Sequence, residues 1–181
     1  MKMTLRDHLP FSLLLLYVAA SGFYSFAFAQ YTRPFASIQD AITVSTGTHV
    51  VWVKRGGQCS GHTLMGYYDA SKNALFVCQS NHEGDYEEIL GTLKHEGWHA
   101  VQQKCNSGKA ALSDNQLRNR LRQRDKNDLR AYPEAQRRME AEARVMELLP
   151  TSEWISQILR YCISGRSTLP YIPGQPKSPS W

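Results

Sequence analysis

The sequence predicts an α+β domain in which a small antiparallel or mixed sheet of about three strands packs on a helix bearing two histidines and on a later helix bearing a glutamate. Two patterns predict it. Three short runs rich in β-branched and aromatic residues, bounded by Gly, Asn and Asp, occur between His49 and Cys78. After Asp85 the apolar residues recur at intervals of three and four, the spacing of amphipathic helices. Length bounds the rest: about 150 residues remain once the N-terminus is set aside, enough for one domain with a core of its own.

The N-terminus reads as a signal peptide over residues 1–29. Lys2 and Arg6 form a basic start, Phe11 to Ala20 an apolar centre, and Ala27-Phe28-Ala29 a small-x-small cleavage site that leaves Gln30 first. Ser21 and Gly22 interrupt the apolar run, so a removable signal is expected rather than a permanent anchor, and no other stretch is apolar enough to span a bilayer. The expected organisation is signal 1–29, domain 30–165 and a Pro-rich flexible tail 166–181 with Pro170, Pro173, Pro176 and Pro179. The expected location is secreted, periplasmic or in the cell envelope.

Within the domain, residues 37–44 suggest a short helix with Ile38, Ala41 and Ile42 on one side. His49 to Val53 reads as a strand ended by Gly56-Gly57. Leu64 to Tyr68 and Ala74 to Cys78 read as two more, joined by a loop of hairpin composition at residues 69–73. The first strong helix is expected from Asp85 to Lys104, with acidic Asp85, Glu87 and Glu88 at its start and Asn106-Ser107-Gly108 closing it. Residues 114–130 form an arginine-rich segment, expected to be helical and exposed, with Leu117 and Leu121 one turn apart. Pro133 to Leu149 is a helix with Ala135, Met139, Ala143 and Met146 as its stripe, flanked by Val145 and Leu149. Pro150 stops it, and Thr151 or Ser152 caps a last helix through Cys162 with Trp154, Ile155, Ile158 and Leu159 inward.

An exported chain meets an oxidising compartment, so Cys59, Cys78, Cys105 and Cys162 are expected in disulfides. Three pairings are possible. Cys59 and Cys78 flank the hairpin, whereas Cys105 and Cys162 end two helices, which favours Cys59 with Cys78 and Cys105 with Cys162. A cysteine metal site is disfavoured because no Cys-x-x-Cys spacing occurs. The net charge of +5 becomes +4 without the signal. Its excess lies in Arg118, Arg120, Arg122, Arg124, Lys126 and Arg130, a solvated face by default and otherwise a surface for an anionic polymer. Nucleic acid is not an expected partner of an exported protein.

The most informative run is His95-Glu96-Gly97-Trp98-His99. A helical residue turns about 100°, so His95 and His99 project from one face, one turn apart, and can grip a single zinc ion. Glu96 lies about 60° around the helix from His99, within reach of a water at that metal without being a ligand. Ile89, Leu93, Gly97 and Val101 carry an apolar stripe through the motif. Gly97 would let another element approach closely, and Trp98 reads as core or cleft wall.

Catalytic zinc takes three protein ligands and leaves one position open. The metzincin continuation is absent, since its Gly and His positions hold Gln102 and Cys105. Downstream, Met139-Glu140-Ala141-Glu142-Ala143 resembles the Glu-x-x-Ala pattern of the gluzincins, zinc peptidases whose third ligand is a glutamate on a later helix. The resemblance spans Gly66 to Leu149 and implies a minimal zincin-like domain: His95, His99 and Glu140 on one catalytic Zn²⁺, Glu96 as general base, and a peptide or protein as substrate. It also implies that Ala74 to Cys78 is the sheet edge along which an extended substrate pairs. The chain lacks the Asn-Glu-x-x-x-Ser-Asp segment of the thermolysin pattern, so no hydrogen-bond partner for a ligand histidine carries over.

Alternatives stand beside these assignments. Glu142 points about 200° away from Glu140, so only one can face the metal; Glu134 and Asp128 are weaker rivals. Tyr132 is a candidate donor to a developing oxyanion or a packing residue. His62 and His82 read as surface histidines and His49 as structural. The expected function is an exported zinc-dependent hydrolase of metallopeptidase type. A non-catalytic zinc protein of the envelope and an arginine-rich adaptor for anionic polymers are the other two classes.

Overall fold

A computed structural model describes residues 34–163; the expected signal (1–29) and the Pro-rich tail (166–181) lie outside the described residues. Over the described residues the fold is α+β, with six α-helices around a three-stranded mixed sheet. Helix α1 covers residues 34–46 and strand β1 is His49–Val53. Strands β2 (Gly66–Asp69) and β3 (Ala74–Cys78) form an antiparallel hairpin. Asp69 Oδ1 shapes its turn by accepting from the N–H groups of Ser71 (3.0 Å) and Lys72 (3.2 Å).

β1 pairs parallel with β3, so the sheet order is β1-β3-β2. Ala74–Cys78 is therefore the central strand and not the substrate-facing edge that the resemblance implies. The reason lies in burial. Ala74, Leu75, Val77 and Cys78 are all buried, which suits a strand flanked on both sides, whereas β2 keeps Tyr67, Tyr68 and Asp69 only partly covered.

Helix α2 (Tyr86–Cys105) is the spine of the domain and touches β2, β3 and the last two helices. Asp85 caps it, its Oδ1 accepting from Glu87 N (2.9 Å) and Glu88 N (3.1 Å). Helices α3 (Asp114–Arg120) and α4 (Gln123–Asp128) replace the single arginine-rich helix that the sequence suggests, because Leu121 and Arg122 adopt extended backbone between them. The segment is mostly exposed, but Asp125 is buried and its carboxylate takes two hydrogen bonds from Arg122 (2.6 and 3.0 Å). Helices α5 (Glu134–Glu147) and α6 (Thr151–Ile163) complete the fold.

The core joins Ile38 and Ile42 of α1, Leu75 and Val77 of β3, Leu93 and Trp98 of α2, Met146 of α5 and Trp154 of α6. Gly97 makes this possible. A Cβ there would lie 2.6 Å from Ile42 Cδ1 and 3.1 Å from the Trp154 ring, so α1 and α6 close over α2 only because the side chain is absent. Three expectations fail at helix peripheries: Leu159 is 43% exposed, Ala135 is exposed, and Thr151 is the first residue of α6 rather than its cap. Disulfides join Cys59 to Cys78 and Cys105 to Cys162, the favoured pairing. Among the described residues no helix is long and apolar enough to cross a membrane.

Candidate metal centre

His95 and His99 project from one face of α2 toward Glu140 in the middle of α5. His95 Nε2 lies 3.4 Å from Glu140 Oε2 and His99 Nε2 lies 3.3 Å from Glu140 Oε1. One ligand atom from each residue falls within 4.8 Å of the other two, and this is the only such His/Cys/Asp/Glu group among the described residues. Ligands about 2.0–2.1 Å from a tetrahedral zinc stand about 3.3 Å apart, so the spacing of imidazole and carboxylate suits that ion. The small Ala141 and Ala143 lie in the buried part of α5, which packs on α2.

The other imidazole nitrogens are engaged from behind. His95 Nδ1 meets Glu147 Oε2 at 3.2 Å, and His99 Nδ1 meets Gln102 Oε1 at 2.8 Å. Gln102 in turn donates to Glu142 Oε2 (2.8 Å) and to the Met139 carbonyl (3.0 Å). No motif in the sequence marks these partners. Glu147 stands two turns after Glu140 on the same face of α5, and Gln102 stands one turn after His99, so helical spacing was the available signal.

Burial works to lower the His95 pKa, but the Glu140 and Glu147 carboxylates outweigh it and push it up to about 10. Burial likewise works to raise the Glu140 pKa, and the two histidines outweigh it, holding it down at about 2. The cluster thus demands positive charge between its imidazoles and carboxylate. Protons or a metal cation supply it.

Rival ligands are not brought to this point. Glu142 is buried on the far side, where its carboxylate accepts from the N–H groups of Ala111 and Leu112. Asp128 is exposed and 3.8 Å from Arg144, and Glu134 is exposed in the first turn of α5. His49 and His62 are exposed. His82, expected at the surface, is buried: its Nε2 lies 3.1 Å from the Met65 carbonyl, and Asn81 Nδ2 donates to the Gly61 (2.6 Å) and Leu64 (2.7 Å) carbonyls. Together they hold the loop before β2 in place.

A cleft runs over the cluster in two lobes of about 370 and 470 Å³, which share Leu64, His95, Glu96 and Tyr132. Glu96 therefore faces open space beside the histidines. Gly66 borders one lobe, Tyr67 and Tyr68 the other, so the strand along the cleft is β2. A Cβ on Gly66 would meet Thr92 Cγ2 at 2.6 Å and Glu96 Cγ at 3.3 Å, so glycine lets β2 cross α2 this closely.

Fold and cluster define a class: a disulfide-bonded α+β domain that presents a His₂Glu set of metal-ligand type in an open cleft. Residues 42–163 match the family described as Domain of unknown function (DUF8637), and the chain belongs to it. No curated protein and no solved structure matches it.

Proposed function

We propose that this protein is an exported zinc-dependent hydrolase, a metallopeptidase of gluzincin-like type. The observation that carries the reading is the convergence of His95 Nε2, His99 Nε2 and Glu140 on one point, with Glu96 beside it in the cleft. His95, His99 and Glu140 would hold one zinc ion. When bound, zinc supplies Lewis acidity, polarising a carbonyl and making water a nucleophile near neutral pH.

The remaining chemistry belongs to the chain. Glu96 accepts a proton as water attacks the carbonyl carbon, and returns it to the nitrogen as the C–N bond breaks. The outer edge of β2, on the side away from β3, offers backbone groups to an extended peptide lying along the cleft. Tyr132, shared by both lobes, is the candidate hydrogen-bond donor to the carbonyl oxygen as it gains charge. The two disulfides fit an oxidising compartment and support the reading of an exported protein.

The test is cleavage of a peptide library by the parent protein beside Glu96→Gln. The expected result is loss of about 100-fold or more in rate with zinc content unchanged, the scale of a positioned general base. A Glu96→Gln protein that cleaves as fast as the parent would overturn the assignment.

A further inference from the structure

Glu142 has no part in the chemistry above, yet its carboxylate is fully buried and four hydrogen bonds converge on it. Ala111 N donates to both oxygens (2.8 and 3.0 Å), Leu112 N to Oε1 (2.6 Å) and Gln102 Nε2 to Oε2 (2.8 Å). The Gln102 side chain is also fully buried, and its second Nε2 contact is the Met139 carbonyl at 3.0 Å. Reversing the Gln102 amide would set its oxygen against a carboxylate and a carbonyl, two acceptors with nothing to share. The amide orientation is therefore dictated, and Oε1 must face His99 Nδ1, 2.8 Å away.

An amide oxygen can only accept, so Nδ1 of His99 must carry a hydrogen. A neutral imidazole has one N–H, and with that hydrogen on Nδ1 the lone pair is left on Nε2, the atom that faces Glu140. We propose that Glu142 and Gln102 are positioning residues that fix His99 as its Nδ1–H tautomer and so reserve Nε2 for the metal. This inference rests on the zinc reading of the site. It also separates the two histidines: His95 is set directly by the partly exposed Glu147, and His99 from inside the core through a neutral amide.

The test pairs zinc affinity with ¹⁵N NMR of histidine-labelled protein, metal-free and zinc-loaded, for the parent, Gln102→Met and Glu142→Gln. Gln102→Met keeps the side-chain length and leaves the Glu142 bonds to Ala111 and Leu112 in place. The parent should show a protected proton on His99 Nδ1. In Gln102→Met that protection should be lost and zinc binding should weaken by about 10–100-fold. Glu142→Gln, where near-UV circular dichroism shows it folded, should do the same. Zinc affinity within about twofold of the parent in a folded Gln102→Met would overturn the proposal. So would a parent whose His99 carries its hydrogen on Nε2, a result that needs no variant to fold. A parent that binds no zinc overturns the reading of the site instead, and the Nδ1 proton of the metal-free protein tells the two failures apart.

Discussion

His95 is a basic imidazole in the metal-free protein, because Glu140 and Glu147 both draw a proton onto it. Its folded pKa of about 10 lies above the ordinary 6.5, so this pairing stabilises the metal-free fold fully below pH 6.5 and is lost as the pH rises through about 10. Glu140 runs the other way: held at about 2, it contributes above its ordinary 4.5 and is lost as the pH falls through about 2. On the zinc reading proposed above, an ion bound at His95 would have to displace that proton. Zinc affinity should accordingly climb about tenfold per pH unit between pH 7 and 9, with about one proton released per ion, read by calorimetric titration in buffers of different ionisation enthalpy. An affinity independent of pH would mean that His95 carries no proton for the ion to displace. At this scale the two histidines and Glu96 were legible in the sequence, because helical spacing alone puts them together. Gln102, Glu142 and Glu147 were not, since their roles depend on how α5 docks on α2.

The helices settle most of what the sequence left open. The approach of α1 and α6 to α2 is set at one position, Gly97, where a Cβ would press on Ile42 and Trp154. Gly97→Ala should cost about 1–3 kcal/mol of stability, measured by urea unfolding, since overpacking a closed contact forces neighbours off their positions. An unchanged midpoint would show that α1 or α6 gives way freely. The strands were legible as strands through β-branched and aromatic content, but their order was not. Parallel pairing of β1 with β3 depends on a connection that leaves and returns to the sheet, and no local pattern encodes it. That is why β2, not β3, borders the cleft.

Across the whole molecule, two covalent ties hold a small domain whose cleft lies open on one side. Cys105–Cys162 joins the ends of α2 and α6 across a separation of 57 residues, and Cys59–Cys78 spans only 19. On chain-entropy grounds the first contributes about 4 kcal/mol and the second about 3 kcal/mol. A Cys105→Ser/Cys162→Ser variant should therefore unfold at lower urea than Cys59→Ser/Cys78→Ser. The second pair closes the loop that leads into β2, so its loss should depress cleavage more than its smaller effect on stability implies. Equal activity in both variants would argue that this loop does not shape the cleft. The pairing was legible because Cys78, Cys105 and Cys162 sit at or next to the ends of elements the sequence marks clearly, and Cys59 precedes the hairpin that Cys78 ends.

Whether His95, His99 and Glu140 hold one metal ion is decided by zinc titration of the oxidised protein beside Glu140→Gln. One tightly bound zinc per parent chain is expected, with an affinity reduced at least about tenfold in Glu140→Gln, whose neutral amide is the poorer ligand. A parent that binds no zinc, or a Glu140→Gln protein that binds it as tightly as the parent, would rule out a zinc centre built on these three residues.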